Sequence, residues 1–324
     1  MKFSAQSFLF ALMTALSAWI PALAHAQAFP SKPLRIVVPY PPGGAGDIHV
    51  RLIAQKLSGV LGQPVLVDNR AGASGNIGAD FVAKSPSDGY TLVFATTNMA
   101  INHAVGSKIP FDVMADFAPI SLSLTAQNLL VIRPTLPFTG IKELIAYAKA
   151  NPGKLTFGSS GIGTPWLGLE LLKSLAGIEM VHVPYKGDGP AITDLLGGQI
   201  DIYSTNISVL DPYHRSGKVR ALAVTSRKRA TSLPDIPTME ESGVAGYELE
   251  SWFGFMAPAG TPRPIIDTLN AALVQVEAMP DVQKSMIDVG LTPTTSSPEE
   301  FARRIQADII KFQRIVKTAG IKPE

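Results

Sequence analysis

Short apolar segments bounded by glycine, proline, serine or asparagine recur along the chain and predict β-strands. The predicted strands are Leu34–Pro39, Val65–Asp68, Tyr90–Ala95, Leu129–Arg133, Lys154–Gly158, Met180–Pro184, Asp201–Ser204 and Val219–Thr225. Between several of them, isoleucine and leucine recur at a helical spacing, as at Ile53, Leu57 and Leu61 and again at Leu167, Leu171 and Leu175. Strands that alternate with helices predict an α/β fold.

Two helices carry recognisable end signals. The stretch Ser297–Glu300 has the pattern of a capping box, which predicts a helix that runs from there to about Thr318. Pro190 suits the first turn of another helix, which ends at the Gly197-Gly198 pair. Both signals fit an α/β arrangement.

One order of elements occurs twice: a strand, a glycine-rich loop, a helix, and a later strand that ends in Thr-Asn. The first copy contains LRIVVPYPPGGAGD and LVFATTN and ends at Asn98, and the second contains KLTFGSSGIGTP and DIYSTN and ends at Asn206. This predicts two lobes whose strand ends face each other. Because ligands of open α/β sheets bind at the carboxyl ends of strands, we expect a cleft lined from both sides.

The same pattern predicts the division of the chain. Residues 27–125 and 250–324 are predicted to form the first lobe, and residues 126–249 the second. The chain is predicted to cross between the lobes within Ala126–Pro137 and within Gly246–Gly260. The C-terminal helices would then pack on the first lobe.

Neither glycine-rich loop has a nucleotide-binding motif. PPGGAGD lacks the third glycine of GxGxxG, and GSSGIGTP has Thr164-Pro165 where a P-loop has lysine and serine or threonine. Backbone N–H groups at a helix start can instead hold a carboxylate, with hydroxyl groups as further donors. The donors predicted for this role are Ser159, Ser160, Thr164 and Thr97. The alternative is that both loops are only tight turns.

Three polar side chains near these loops allow two interpretations each. Asp47 either caps the first helix or contacts a ligand amine or a bridging water. Asn98 and Asn206 either cap strand ends through their own backbone or contact the ligand.

The N-terminus predicts export. Residues 1–26 combine a short positive region, an apolar run and the Ala24-His25-Ala26 cleavage pattern of a signal peptide. The chain has 324 residues, a formal net charge of +2 and no cysteine, which excludes disulfides and thiolate chemistry. No run of lysine and arginine suggests nucleic acid as a partner, and the signal pattern predicts a protein that acts outside the cytoplasm.

Catalytic and metal-binding patterns are lacking. No two histidines have metal-ligand spacing, and neither HExxH nor GxSxG occurs. We therefore predict neither an enzyme nor a metal or cofactor site. The alternative is an exported hydrolase that uses Ser159 or Ser160 in the same cleft.

Several long stretches resemble the Bug family, the periplasmic solute receptors of tripartite tricarboxylate transporters. The resemblance rests on FPSKPLRIVVPYPPGGAGD, LGQPVLVDNRAGASGNIGADFVAKSPSDGYTL, ELIAYAKANPGKLTFGSSGIGT, VHVPYKGDGPAITDLLGGQID, VRALAVTSRKRATSLPDIPTMEESG and APAGTP. It covers essentially the whole chain after the predicted signal peptide. It implies a two-lobed α/β fold that closes on a small carboxylate like a flytrap and delivers it to a membrane permease.

The predicted ligand-binding residues join those that the resemblance implies with further candidates near the same loops. The resemblance implies Gly43, Gly44, Asp47, Thr97, Asn98, Ser159, Ser160, Gly163, Thr164, Tyr185 and Asp188, and the further candidates are Tyr40, Pro42, Trp166 and Asn206. The family usually has a His-Leu pair shortly after the second loop, whereas this chain has Trp166 near that place. Trp166 is therefore either a core residue or a cleft wall that favours an aromatic or apolar ligand.

The sequence thus predicts a monomeric, non-enzymatic periplasmic receptor for a small organic acid. The partner is predicted to be a membrane permease, and a periplasmic sensor subunit with the same binding chemistry is the alternative.

Overall fold

The computed structural model describes residues 29–106 and 108–321, so the predicted signal peptide lies outside the described residues. The strands are β1 (Leu34–Val38), β2 (Val65–Asn69), β3 (Thr91–Thr96), β4 (Phe117–Ala126), β5 (Asn128–Ile132), β6 (Thr156–Ser159), β7 (Val181–Pro184), β8 (Ile202–Asn206), β9 (Arg220–Val224), β10 (Ser251–Pro258) and β11 (Leu291–Pro293). In this part of the chain they form two sheets, ordered β11-β4-β10-β3-β1-β2 and β7-β6-β8-β5-β9. The predicted α/β fold with two lobes is confirmed.

Helices connect the strands and cover both sheets. They are α1 (Ala45–Leu61), α2 (Asn76–Ala83), α3 (Thr97–Ala104), α4 (Ile141–Ala150), α5 (Thr164–Ala176), α6 (Asp188–Leu196), α7 (Ile207–Arg215), α8 (Arg263–Glu277), α9 (Pro280–Asp288) and α10 (Pro298–Thr318). None of the described helices is long and apolar enough to cross a membrane.

Parallel pairing sets the position of the strand ends. In the first sheet β1 is parallel to β2 and β3, and in the second β6 is parallel to β7 and β8. Their carboxyl ends therefore meet at one edge of each sheet. β10 runs antiparallel to β3 and β4, and β5 runs antiparallel to β8 and β9.

All eight predicted strands are present, with ends shifted by one or two residues, whereas β4, β10 and β11 were not predicted. The crossings between the sheets are shorter than predicted. β4 ends at Ala126 and β5 begins at Asn128 in the other sheet, so a single residue separates them. Most of the segment Gly246–Gly260 is β10, a strand of the first sheet.

The capping box is confirmed, since Ser297 accepts a hydrogen bond from the Glu300 N–H and the Glu300 side chain bonds back to Ser297. Helix α10 buries Ile305 and Phe312 and packs on α3 and β4 of the first half and on α5 of the second. The last helix therefore contacts both halves, whereas α8 and α9 pack on elements of the first half. In α5 the predicted apolar spacing is only partly buried, because Leu175 is exposed.

Candidate functional site

Five helices of the described chain begin around one cleft between the two sheets, which has a volume of about 390 Å³. Gly44 precedes α1, Thr96 precedes α3, Gly163 precedes α5 and Asn206 precedes α7, while Asp188 is the first residue of α6. All five residues line the cleft. The first N–H groups of a helix lack intrahelical partners, and each helix start carries about half a positive charge. The cleft is therefore built to hold an anion.

Among residues 29–106 and 108–321, no arginine or lysine lines this cleft. The charged side chains in its wall are two carboxylates, Asp47 and Asp188. Attraction of an anion to this cleft must consequently come from backbone amides and helix dipoles rather than from side-chain cations.

The first loop, Tyr40–Gly44, is fastened by an acid of the helix that follows it. One Asp47 oxygen accepts hydrogen bonds from the Gly43 N–H and the Arg51 Nε, both at 2.9 Å. The other oxygen accepts from Asn69 Nδ2 at 2.8 Å. Burial alone would raise the pKa of Asp47, but these hydrogen bonds outweigh it and hold the pKa below its usual value. Asp47 thus fixes the loop from the third position of α1 while also lining the cleft.

Tyr40 belongs to a hydrogen-bonded group at the start of α3. Its hydroxyl lies 2.8 Å from Thr96 Oγ1 and also bonds to Asn98, and burial raises its pKa. Thr97 is buried and bonds through Oγ1 to both the N–H and the C=O of Trp252. The prediction that Thr97 and Asn98 end a strand is wrong, because β3 ends at Thr96 and both residues open α3.

The second loop, Ser160–Gly163, is fastened from outside its own helix. Thr164 Oγ1 lies 2.5 Å from Ser251 Oγ of β10 and accepts a hydrogen bond from Asn128 of β5 at 3.3 Å. A side chain on Gly163 would meet Asn98 Oδ1 at 3.4 Å, so the two halves approach each other closely here. Ser160 is exposed and bonds to Tyr203.

Asp188 faces the cleft with both oxygens engaged. Tyr203 donates to one oxygen at 2.5 Å and Thr205 to the other at 3.3 Å. Burial, together with the bond to Asp188, raises the pKa of Tyr203 well above its usual value. The tyrosine therefore stays a neutral donor, and both Asp188 oxygens accept hydrogen bonds from hydroxyl groups of the protein.

The cleft brings together most of the predicted residues. They are Tyr40, Gly44, Asp47, Thr97, Asn98, Ser160, Gly163, Thr164, Asp188 and Asn206. The structure places Pro42, Gly43, Ser159, Trp166 and Tyr185 outside it.

Each of these five residues lies outside the cleft for a physical reason. Pro42 is exposed, and the Gly43 N–H is used by Asp47. The Tyr185 hydroxyl donates to Asp194 at 2.7 Å. Ser159 and Trp166 are buried and line a second cavity of about 390 Å³ behind the loop.

Sequence analysis missed an apolar side of the cleft. It is formed by Phe94, Leu124, Phe253 and Leu291. Leu124, Phe253 and Leu291 lie on the strands that were not predicted. Thr205 was also missed, although its position directly before Asn206 could have indicated it.

A larger open groove of about 780 Å³ lies elsewhere, lined by Arg35 of β1, Thr91 of β3 and one side of α2. Its basic residues include Lys32, Arg35 and Lys84, which are paired with Asp88, Asp68 and Asp80. None of the five helix starts around the cleft lines this groove, so it is not the candidate site.

Two α/β sheets with helix starts converging on a cleft between them define a two-lobed solute-binding protein. This chain belongs to the family described as the tripartite tricarboxylate transporter family receptor, TctC, which matches residues 49–321. The predicted resemblance to the Bug family is confirmed.

Named relatives and solved structures support this family assignment. The chain is 37% identical to protein BugT of Bordetella pertussis, over 94% of this chain and 95% of BugT. It is similar to R. palustris Rpa4515, solved with adipate, with 37% identity, a TM-score of 0.78 and coverage of 91% and 100% of the two chains. It is also similar to the periplasmic binding protein BugD, with 34% identity, a TM-score of 0.75 and coverage of 91% and 100%. Its function is that of a solute receptor.

Proposed function

We propose that this protein binds a small organic acid in the cleft, with a carboxylate group held by backbone N–H groups from both lobes. The observation that carries the proposal is the convergence of five helix starts on a cleft without a lysine or arginine among the described lining residues. Oriented amides and bound water can carry the charge of a carboxylate. The adipate found in Rpa4515, a relative of similar fold, supports this ligand class.

The proposed mechanism is closure of the lobes on the ligand. Gly163 and Asn98 come from opposite halves and lie across the cleft from each other. An acid that contacts both halves binds the closed state more tightly and therefore shifts the population toward it. We take residues 27–125 with 250–324, and 126–249, as the two moving lobes.

The remaining parts of the proposal concern the cellular role. The predicted signal peptide and the periplasmic location of BugD support export to the periplasm. The family description supports delivery of the acid to the membrane permease of a tripartite transporter. We propose that the protein acts as a monomer and without a cofactor.

A thermal-shift screen with mono-, di- and aromatic carboxylates tests the binding. A ligand present at a hundred times its Kd stabilises the native state by about 2.7 kcal/mol, which raises the Tm by several degrees. We expect such a shift with at least one acid and none with the matched amide. Failure of every acid would contradict the proposal.

We also propose that binding occurs without turnover. Ser159 lies 2.7 Å from His182, the kind of pair a hydrolase would need, but the pair lines the second cavity and Ser159 is only 1% exposed. Incubation of the protein with its bound acid should therefore return the acid unchanged by NMR. Consumption of the acid that stops in Ser159→Ala would favour the hydrolase.

A further inference from the structure

One side of the cleft is formed by neighbouring strands rather than by helix starts. The order β11-β4-β10-β3 places four strands side by side in the first sheet. Phe253 of β10 is directly opposite Leu124 of β4 and Thr96 of β3. Directly opposite residues of antiparallel strands point to the same face, so these side chains share one surface.

The same face of the sheet carries two further apolar side chains, one on β3 and one on β11. Phe94 precedes Thr96 by two positions on β3, and its ring stacks on that of Phe253 with centroids 5.7 Å apart. Leu291 of β11 lies diagonally from Leu124, since the residue opposite Leu124 is Pro293. We call the four side chains Phe94, Phe253, Leu124 and Leu291 the apolar wall.

Phe253 is the part of the apolar wall that a ligand can cover. Phe94 and Leu124 are 0% and 1% exposed, whereas Phe253 is only half-buried and lines the cleft. Contact with a hydrocarbon would remove the remaining ring surface from water, which is favourable in proportion to the area covered. Contact with a hydroxyl group would instead remove that hydroxyl from water without giving it a partner.

We propose that the ligand of this cleft is a carboxylic acid with a hydrocarbon body, and that Phe253 selects against hydroxylated acids. This inference rests on the proposed function, because the carboxylate is held by the helix starts. The polar and apolar sides of the cleft then match the two parts of the ligand.

The charges of the cleft support the same ligand class. Asp188 lies in its wall, and no lysine or arginine lines it within the described chain. A highly charged hydroxy acid would bring further carboxylates close to Asp188 without a cation to offset the repulsion. A hydrocarbon-bodied acid with one or two carboxylates avoids this cost.

Two pairs of acids with the same number of carboxylates separate the effect of the ligand's body on affinity from the effect of its charge. Hexanoate and gluconate are six-carbon monocarboxylates, and adipate and galactarate are six-carbon dicarboxylates; in each pair the second member is polyhydroxylated. Calorimetry on the wild-type protein should show the hydrocarbon member binding at least about tenfold tighter in any pair that binds, since it alone covers apolar surface without stranding hydroxyl groups.

The substitution Phe253→Ser tests the assigned residue. We expect the preference within a pair to fall to within about threefold, because the hydroxyl group replaces the apolar contact. Phe81→Ser, outside the cleft, is the matched control and should keep the wild-type preference. Circular dichroism checks folding, and Phe253→Tyr replaces the serine variant if that variant does not fold. Its added hydroxyl group gives a hydroxylated acid a partner, so the preference should narrow there too, and an unchanged preference would again overturn the role of Phe253.

The outcomes separate this inference from the proposed function. Equal or tighter binding of the hydroxylated members overturns the inference while leaving acid binding intact. An unchanged preference in Phe253→Ser overturns the role of Phe253. Absence of binding by every acid in this set and in the broader carboxylate screen would overturn the proposed function as well.

Discussion

The two glycine-rich loops each lead into a helix but are held by different parts of the protein. The first loop is fastened by Asp47, which belongs to the helix that the loop opens. The second loop is followed by Thr164, which is fastened by Ser251 and Asn128 at the starts of β10 and β5. Both strands start where the chain passes between the sheets. The first helix start is therefore fixed within its own lobe, whereas the second is tied to the crossings.

This difference separates residues that shape the site from residues that touch a ligand. Asp47 has the position expected of a ligand contact, yet its oxygens are engaged by Gly43, Arg51 and Asn69. Thr164 lines the cleft, yet its hydroxyl group is hydrogen-bonded to Ser251 and Asn128, where the chain crosses between the sheets. Two helix starts that are each preceded by glycine can thus be fixed through side chains with unrelated partners.

The largest effect on binding is expected from Gly163→Val. The new Cβ would lie 3.4 Å from Asn98 Oδ1, so the larger side chain keeps the lobes apart and covers the N–H groups. We expect at least about a hundredfold loss of affinity, or about 2.7 kcal/mol, by calorimetry with an acid that binds the wild type.

Gly140→Val is the matched control for this change. Gly140 also precedes a helix, has an extended backbone and has no atom within 4 Å of a built Cβ. The Gly140→Val protein should bind the acid with the affinity of the wild type. Full affinity in Gly163→Val would show that the acid does not bind at the second loop.

The next largest effect is expected from Asp47→Ala, and it concerns stability. The change leaves the Gly43 N–H without its carboxylate and removes one of the two acceptors of the Asn69 amide, which should lower the free energy of unfolding by about 2 kcal/mol at pH 7. Because the folded pKa lies below the unfolded value of about 3.9, the stabilisation is complete above that pH and is lost as the pH falls through the folded pKa.

Urea denaturation at pH 7 and near pH 3 measures this prediction. The gap between wild type and Asp47→Ala should be widest at pH 7 and should narrow at the lower pH. Asp267→Ala removes another Asp–Arg pair at helical spacing, on the surface, and should change stability much less. Equal losses in the two variants would contradict the fastening role of Asp47.

The smallest effect is expected from Thr164→Val, which preserves shape but removes the hydroxyl group. Loss of the contacts to Ser251 and Asn128 should destabilise the protein by about 1–2 kcal/mol. Thr193→Val, which removes a hydroxyl bonded only within α6, should cost less. A Thr164→Val protein as stable as Thr193→Val would show that the second loop does not depend on the crossings.

Much of the scaffold could be predicted because its signals are local. Apolar runs indicated the parallel strands, and glycine after a strand indicated the helix starts at Gly44 and Gly163. The capping box marked the start of α10. Each of these signals depends on neighbours within a few residues of the chain.

The apolar wall could not be predicted in the same way. Phe253 meets Leu124 and Thr96 only through strand pairings between distant parts of the chain. The sequence instead drew attention to Trp166, which follows the second loop closely. The helical turn of α5 directs Trp166 into the second cavity and the core, where it is 9% exposed.

Amide NMR of the protein with an acid that binds by calorimetry tests the central claim most directly. If helix starts from both lobes hold the carboxylate, the N–H signals of Gly44, Gly46 and Gly163 should shift on titration. The signal of Gly217, which does not line the cleft, should stay in place. Saturated binding with unchanged signals at Gly44 and Gly163 would contradict the account.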